Sequence, residues 1–459
     1  MLSVNDRTKR ASGMGAEMHA MLRRLFPICR SITGPGTRET LAILSEDIDL
    51  DVVEVASGET VFGWTVPQEW HPRRADITGP DGRIHASFAD NNLHLVNGST
   101  AIDAKMSLEE LLPHIYSLPE QPDLIPYVTS YYHPHWGFCM SEREKQALTP
   151  GTYEVRIDAT HSDGALVYGE AVLAGRSDQE ILISTYICHP SMANDNLSGV
   201  VVAAALYRLL AARDDLFYTY RFLFTPETIG SLCWLKNNET TSVPRIRSGL
   251  VLSCLGDDGP FNYKRSRRGD AQIDRVASRL LGDDDTLHDF FPNSGSDERQ
   301  FCSPGFDLPV GMLSRTYPGQ WPYYHTSGDT VERLGPDILR GSLERVEILI
   351  SGLEAAAAET YVRTEPRGEP MLSKYDLYHR QNLRRNTEAD TERDYRGQMM
   401  WLLNLADGDH SLQDIAERSG GDLESLREIA GILEKVGLIT PLVQSTPITG
   451  GPQTDNDRK

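Results

Sequence analysis

The chain has 459 residues, of which 39% are hydrophobic and 24% are charged. This length is too great for a single compact core, so two or three domains are expected. The 45 basic and 66 acidic residues give a formal net charge of −21. That charge argues against nucleic acid or an anionic membrane as the main partner.

Location and redox state follow from the same sequence. No stretch approaches the ~20 apolar residues of a membrane span, and the N-terminus lacks the apolar segment of a signal peptide. The six cysteines are scattered, without a C-x-x-C pair, which is typical of reduced thiols in a cytoplasmic enzyme. We therefore expect a cytoplasmic protein with no membrane partner, and the sequence leaves homo-oligomerisation open.

The first part of the chain combines two sequence patterns, one helical and one of short strands. Residues 14–50 begin with helical repeats, and residues 51–172 consist of short β-type runs separated by Gly, Pro, Asn and Asp, which predict a small, mainly β insertion. Between 173 and 360, strands such as EILISTYIC alternate with helices such as LSGVVVAAALYRLLAAR. This alternation predicts an α/β domain, completed by residues 14–50, with helices on both faces of a sheet that has a parallel core.

The C-terminal part reads as a polar linker (361–393), a winged-helix-like domain (394–445) and a disordered tail (446–459). Three short amphipathic helices suggest the winged helix. Its segment from Asp394 to Thr440 has nine acidic and four basic residues. Phosphate contact needs the opposite balance, so we expect no nucleic-acid partner.

Groups that can bind a metal ion follow four predicted strands. His189, Glu227, Asp257 and His325 lie after strands, and Asp195 begins the next helix. Because ligand sites form at the carboxyl ends of strands, these side chains are expected to meet. Two imidazoles and three carboxylates suit two zinc-like ions that share one carboxylate. Each residue alone has an ordinary explanation, such as a structural histidine, a helix cap or a turn.

The order of these motifs resembles the di-zinc aminopeptidases of the bacterial leucyl aminopeptidase type. More closely, residues 18 to 440 resemble a bacterial family of aminopeptidase-like proteins often associated with polysaccharide or specialised-metabolite biosynthesis genes. That family combines an aminopeptidase-like domain, an inserted β domain and a C-terminal winged helix. The stretches that carry the resemblance are VFGWTVPQEW, IPYVTSYYHPHWGFC, STYICHPSMANDNLSG, PETIGS, GSDERQFCSPGFDLPV and YYHTSGD.

The resemblance implies a role for each ligand candidate. His189 resembles the terminal histidine of the first metal, and Asp195 the carboxylate that bridges two zinc ions. His325 and Glu227 resemble ligands of the second metal. Asp257 is the best match for the remaining aspartate, with Asp297 as the alternative.

One departure affects the expected water-activating step. The true aminopeptidases have two adjacent glutamates, a general base followed by a ligand, whereas this chain has Pro226 before Glu227. Either the usual base is absent, or Glu227 is the base and a ligand is missing. Asp297 or Glu298 would then substitute, since a base needs only hydrogen-bond reach and a suitable pKa.

Two groups of residues are candidates for binding substrate. Tyr132, Trp136 and Tyr324 belong to aromatic clusters that either wall a pocket or pack between domains. Arg267, in YKRSRRG, either receives a carboxylate or phosphate or lies in a solvated loop.

The favoured function is a metal-dependent hydrolase of an amide bond in a peptide or an acylated amino intermediate. A non-catalytic or single-metal scaffold is the first alternative. An acyl-transfer or cyclising enzyme resembling glutaminyl cyclases is the second.

Overall fold

The computed structural model describes residues 4–377 and 389–444. The chain divides into two compact units: Met1–Ala174, Gln179–Asp214 and Thr219–Ile348 form the first, and Gly175–Asp178, Asp215–Tyr218 and Leu349–Lys459 form the second. The tail expected at 446–459 and the linker residues 378–388 lie outside the described residues.

The helices are α1 Val4–Leu25, α2 Pro35–Leu44, α3 Leu108–Leu111, α4 Glu142–Gln146, α5 Gly199–Ala211, α6 Ile229–Asn238, α7 Gln272–Leu280, α8 Glu298–Phe301, α9 Pro336–Ala358, α10 Ala389–Leu405, α11 Leu412–Ser419 and α12 Leu423–Lys435. None of those described is long and apolar enough to cross a membrane.

The strands are β1 Asp51–Ala56, β2 Thr60–Val61, β3 Trp64–Thr65, β4 Glu69–Thr78, β5 Ile84–Ser87, β6 Ile102–Ser107, β7 Ile115–Tyr116, β8 Phe138–Cys139, β9 Thr152–Ser162, β10 Ala165–Leu173, β11 Glu180–Tyr186, β12 Thr219–Thr225, β13 Ile246–Leu252, β14 Asn262–Lys264, β15 Thr286–His288, β16 Val310–Ser314, β17 Thr360–Arg363, β18 Asp407–Ser411 and β19 Ile439–Pro441.

The main sheet of the first unit has eight strands in the order β1-β10-β12-β11-β13-β16-β14-β15. The four strands β12, β11, β13 and β16 are mutually parallel. Every residue of β11 and β12 is buried, as expected for central strands covered on both faces. The mixed α/β class predicted from the sequence is confirmed.

The expected insertion at 51–172 is only partly a separate layer. Its centre forms a four-stranded antiparallel sheet, β5-β4-β9-β6, over a core that includes Trp70, Phe138 and Tyr153. Its two ends, β1 and β10, pair with each other and extend the main sheet through β12.

The second unit contains a winged helix. Helices α10, α11 and α12 bury Leu402, Leu426 and Ile429 in a common core. The three-stranded sheet β18-β17-β19 includes Thr360–Arg363. The winged-helix fold therefore includes a strand that lies well before residue 394, where the sequence pattern indicated that the domain begins.

Candidate metal centre and its surroundings

Three predicted ligands meet in the first unit. His189 follows β11, Asp195 lies in the turn before α5, and His325 lies in the loop from β16 to α9. Nε2 of His325 is 2.8 Å and Nε2 of His189 is 3.9 Å from Oδ2 of Asp195. One ligand atom from each residue lies within 4.8 Å of the others, and small side-chain shifts would bring all three to about 2 Å from one zinc ion.

The two closest atoms of this cluster lack other partners. Oδ1 of Asp195 accepts a hydrogen bond from the Tyr186 hydroxyl, but the buried Oδ2 accepts none. Nε2 of His325 likewise has no hydrogen-bond partner beyond its 2.8 Å contact with Oδ2. Buried polar atoms nearly always have partners. The pair therefore fits two donors directed at a shared cation.

Two of the three ligands have pKa shifts that favour the forms that bind a metal. Burial lowers the pKa of His189 to about 4. Burial alone would raise the pKa of Asp195, but the two histidines and the Tyr186 hydroxyl outweigh it and lower that pKa to about 2. At neutral pH the imidazole of His189 is neutral and the carboxylate is ionised, which are the forms that bind a metal. Burial opposes but does not prevent a raised pKa of His325, because its contact with Asp195 outweighs burial.

A buried arginine, Arg30, holds the main chain of His189. Its Nε donates to the His189 carbonyl at 2.8 Å, and its Nη1 donates to the Leu25 carbonyl at 2.6 Å. Nδ1 of His189 lies 3.3 Å from Sγ of Cys188, which leaves Nε2 for the cluster. The sequence reading overlooked Arg30. Its signal was a lone arginine in ICRSITG, a short break between two helices.

Asp329 ties the two ligand-bearing loops together. Its carboxylate accepts hydrogen bonds from the backbone N–H groups of Ala193, Asn194 and Asp195 at 3.1, 2.7 and 2.9 Å. Because Asp329 is only four residues from His325, it fixes the Asp195 turn against the His325 loop. Burial raises its pKa to about 7, although the three N–H groups oppose that shift. Asp329 ends the YHTSGD motif and was given no role from the sequence.

Two further carboxyl groups are linked to the cluster by charge: Asp195 and His325 shift the pKa of Glu227, and Glu227 shifts that of Asp297. Oε1 of Glu227 accepts a hydrogen bond from the Ser296 hydroxyl at 2.7 Å, and Oδ1 of Asp297 accepts one from the Thr228 N–H at 2.7 Å. Burial raises the pKa of Glu227 to about 7, against the effect of Ser296. Burial and the charge of Glu227 raise the pKa of Asp297 well above its usual range. Glu227 can therefore accept or donate a proton near neutral pH.

Two predicted carboxylates are not brought into the cluster. Oδ1 of Asp257 accepts a hydrogen bond from the Thr316 hydroxyl at 2.6 Å, and Oδ2 accepts one from the Asn194 side chain at 3.0 Å. Glu298 forms a fully buried ion pair with Lys264 at 2.9 Å. Both carboxylates are therefore occupied in holding loops.

The four predicted substrate-binding residues do not form one site but lie in different surroundings. Tyr324 stacks on His325 with ring centroids 3.9 Å apart. Tyr132 is 44% exposed. Trp136 packs against the core of the four-stranded sheet, and Arg267 forms an ion pair with an aspartate at 2.8 Å. Of the four, Tyr324 alone contacts a ligand of the cluster in the described structure.

Comparisons with known proteins agree with this architecture. A family model described as a domain of unknown function, DUF4910, matches residues 19–356, and a winged helix-turn-helix model matches residues 359–441. A Clostridium acetobutylicum protein, provisionally named for polysaccharide biosynthesis and an aminopeptidase-like domain, is 41% identical over 442 residues. The match covers 96% of this chain and 99% of that protein.

Two solved structures are similar to this chain. A crystal structure from Clostridium acetobutylicum, provisionally named a peptidase, has a TM-score of 0.77 at 40% identity and covers 95% of this chain and 99% of its own. A zinc aminopeptidase from Bacillus subtilis has a TM-score of 0.53 at 12% identity, covering 73% and 94%, which shows a shared fold. The chain therefore belongs to the DUF4910 family, with an aminopeptidase-like fold and a C-terminal winged helix.

Proposed function

We propose that this protein is a zinc-dependent hydrolase of an amide bond, with one ion held by His189, Asp195 and His325. The observation that carries the proposal is the convergence of three donor atoms, two of them buried without a hydrogen bond. We propose one ion rather than the two expected from the sequence, since Glu227 and Asp257 lie outside the group of three donors among the described residues.

Zinc bound there would act as a Lewis acid on the substrate carbonyl. Glu227 serves as the general base, since its raised pKa suits proton transfer near neutral pH. It accepts a proton from the attacking water and passes it to the leaving nitrogen. The carbonyl carbon gains a hydroxyl group, the C–N bond breaks, and the products are a carboxylic acid and an amine.

The substrate class follows from the relatives as part of the proposal. The provisional name of the Clostridium acetobutylicum relative joins polysaccharide biosynthesis to an aminopeptidase-like domain. We place the reaction on an acylated amino intermediate or a peptide of a biosynthetic pathway.

Zinc stoichiometry tests the metal site. After chelation and reconstitution, the wild-type chain is expected to hold one equivalent of zinc, and His189→Ala and Asp195→Asn are expected to hold none. His85→Ala is the matched control, because His85 lies in the four-stranded sheet and pairs with Asp81. Failure of the wild type to retain zinc would return the protein to the non-catalytic alternative.

The Glu227→Gln variant distinguishes the role of general base from the role of metal ligand for this residue. We expect kcat for hydrolysis of aminoacyl and N-acyl amine substrates to fall about 10²- to 10⁴-fold, while zinc affinity stays at the wild-type value. Isothermal titration gives the affinity and steady-state kinetics give kcat. Loss of zinc from this variant would make Glu227 a ligand and leave the base unassigned.

A further inference from the structure

A cavity of about 290 Å³ lies in the first unit where the segment after α1 meets the four-stranded sheet. Although 24% of the chain is charged, the cavity is lined entirely by neutral side chains and histidines. Its lining residues are Ser31, Ile32, Thr33, Pro67, Gln68, Trp70, Gly98, Thr100, Ser130, Tyr131, Tyr132, His133, Pro134 and His161. The absence of Asp, Glu, Lys and Arg from this lining favours a neutral ligand over an ionic one.

Three hydroxyl groups of the lining donate their protons to the protein. Ser31 donates to the side chain of Asn97 at 2.6 Å, Thr33 to a backbone carbonyl at 2.9 Å, and Thr100 to another at 3.2 Å. A hydroxyl oxygen that donates inward still has lone pairs with which to accept. The lining is therefore rich in acceptors for a ligand that carries several hydroxyl or amide donors.

One exposed aromatic ring lines this cavity, and a second exposed ring contacts that ring. Tyr132, one of the lining residues, is 44% exposed, and Trp64 of the β2–β3 hairpin is 41% exposed. Their rings meet edge to face with centroids 5.7 Å apart. Large exposed aromatic side chains that cluster mark binding sites more often than single ones do. The negative face of such a ring attracts the C–H groups of a pyranose.

The cavity is next to the candidate metal centre. Tyr131, another lining residue, shares a hydrogen bond with the Tyr127 hydroxyl at 2.7 Å. The ring of Tyr127 lies 5.2 Å from that of His189 and 5.3 Å from that of His325. One pair of tyrosines thus separates the cavity from two donors of the cluster.

We propose that this cavity binds a neutral pyranose unit of the substrate, with Tyr132 and Trp64 packed against the sugar ring. The volume lies near the lower end of the range for ligand pockets, about 300–1,000 Å³, and suits one monosaccharide. The inference rests on the proposed hydrolase function and specifies its substrate as an acylated amine that carries a sugar.

Sugar binding is measured directly on the chelator-treated full-length protein, so that it does not depend on turnover. The probes are glucose, galactose and N-acetylglucosamine, with glucuronic acid and glucosamine as charged comparisons. By saturation-transfer NMR and titration, at least one neutral sugar is expected to bind in the millimolar range, more tightly than either charged sugar.

Two variants locate the binding. Tyr132→Ala and Trp64→Ala are expected to weaken it about three- to tenfold, the effect of one lost aromatic contact. Phe62→Ala is the control, because Phe62 is a comparably exposed ring of the same hairpin, 45% exposed, that contacts Phe306. Equal effects of all three, no binding of a neutral sugar, or preference for a charged one would overturn the inference.

The outcomes separate this subsite from the proposed function. Zinc-dependent hydrolysis of simple amides without any sugar binding would remove the subsite and leave the hydrolase. Sugar binding lost in Tyr132→Ala, in a protein that retains no zinc, would support the subsite and remove the hydrolase.

Discussion

A buried arginine supports the backbone of the candidate metal centre. Arg30 is 0% exposed, and its Nη2 has no hydrogen-bond partner. Burial lowers the pKa of Arg30 to about 10, so the guanidinium stays charged at neutral pH. An uncompensated buried charge is costly. Its hydrogen bonds to two backbone carbonyls suggest that it is retained because it fixes His189, whose pKa its charge also lowers.

Replacement of Arg30 by Met should therefore affect both stability and metal binding. The loss of charge-assisted hydrogen bonds to two carbonyls is expected to lower the free energy of unfolding by about 3 kcal/mol. Zinc affinity should fall as well, because the His189 backbone is released. Chemical denaturation and a competing chelator measure the two effects.

Two further variants control this experiment. Arg30→Lys restores the charge but not the planar fork, so it should recover part of the stability and little of the zinc affinity. Arg83→Met, at a side chain that is 83% exposed, should change neither. Wild-type zinc affinity in a folded Arg30→Met protein would contradict a positioning role.

The residues of the site differ in how far the sequence could reveal them. His189, Asp195 and His325 were expected to meet because strand ends of an α/β sheet point to one edge, and the structure brings them together. Asp257 lies outside that cluster, because a carboxylate five residues beyond a strand can turn back into its own loop. Arg30 and Asp329 act on backbone groups distant in sequence, and no local pattern marks such partners.

At the scale of elements, strand prediction succeeded where burial is complete. The continuous apolar runs of β11 and β12 match central strands covered on both faces. The limits of the insertion were less readable, because β1 and β10 are antiparallel extensions of the main sheet. Short strands of either sheet have the same alternation of apolar and polar residues, and only tertiary pairing decides which sheet they join.

The loop between β16 and α9 supplies a test of coupling between elements. In Asp329→Asn, an NH₂ group replaces one carboxylate oxygen and faces a backbone N–H of the Asp195 turn. We expect a loss of about 2–3 kcal/mol in unfolding free energy and weaker zinc binding, although no donor atom is changed. Thermal unfolding and chelator competition report these effects.

The control for this variant lies in the helix that follows. Asp337 is 88% exposed at the start of α9, so Asp337→Asn should leave zinc affinity unchanged. Unaltered zinc binding in Asp329→Asn would mean that the two loops hold their positions without the hydrogen bonds to the Asp329 carboxylate.

At the scale of the whole molecule, the winged helix raises the question of nucleic acid. Its fold is one that often binds DNA, and α12 is the second helix of the helix-turn-helix pair. Yet α12 exposes Glu424 and Glu428, and its Arg427 is paired with Glu359 and Glu424. With a net charge of −21 over the chain, phosphate contacts would be opposed at close and long range.

We therefore predict that the full-length protein does not bind duplex DNA, even at low salt, as measured by fluorescence anisotropy with a labelled mixed-sequence duplex. The double variant Glu424→Lys, Glu428→Lys provides the positive control. It reverses two exposed charges on α12, and it should gain weak binding that disappears as salt is raised, because each phosphate contact releases counterions. Salt-dependent binding by the unmodified chain would show instead that another surface of the winged helix contacts phosphate, and the acidic α12 would then serve to limit that binding.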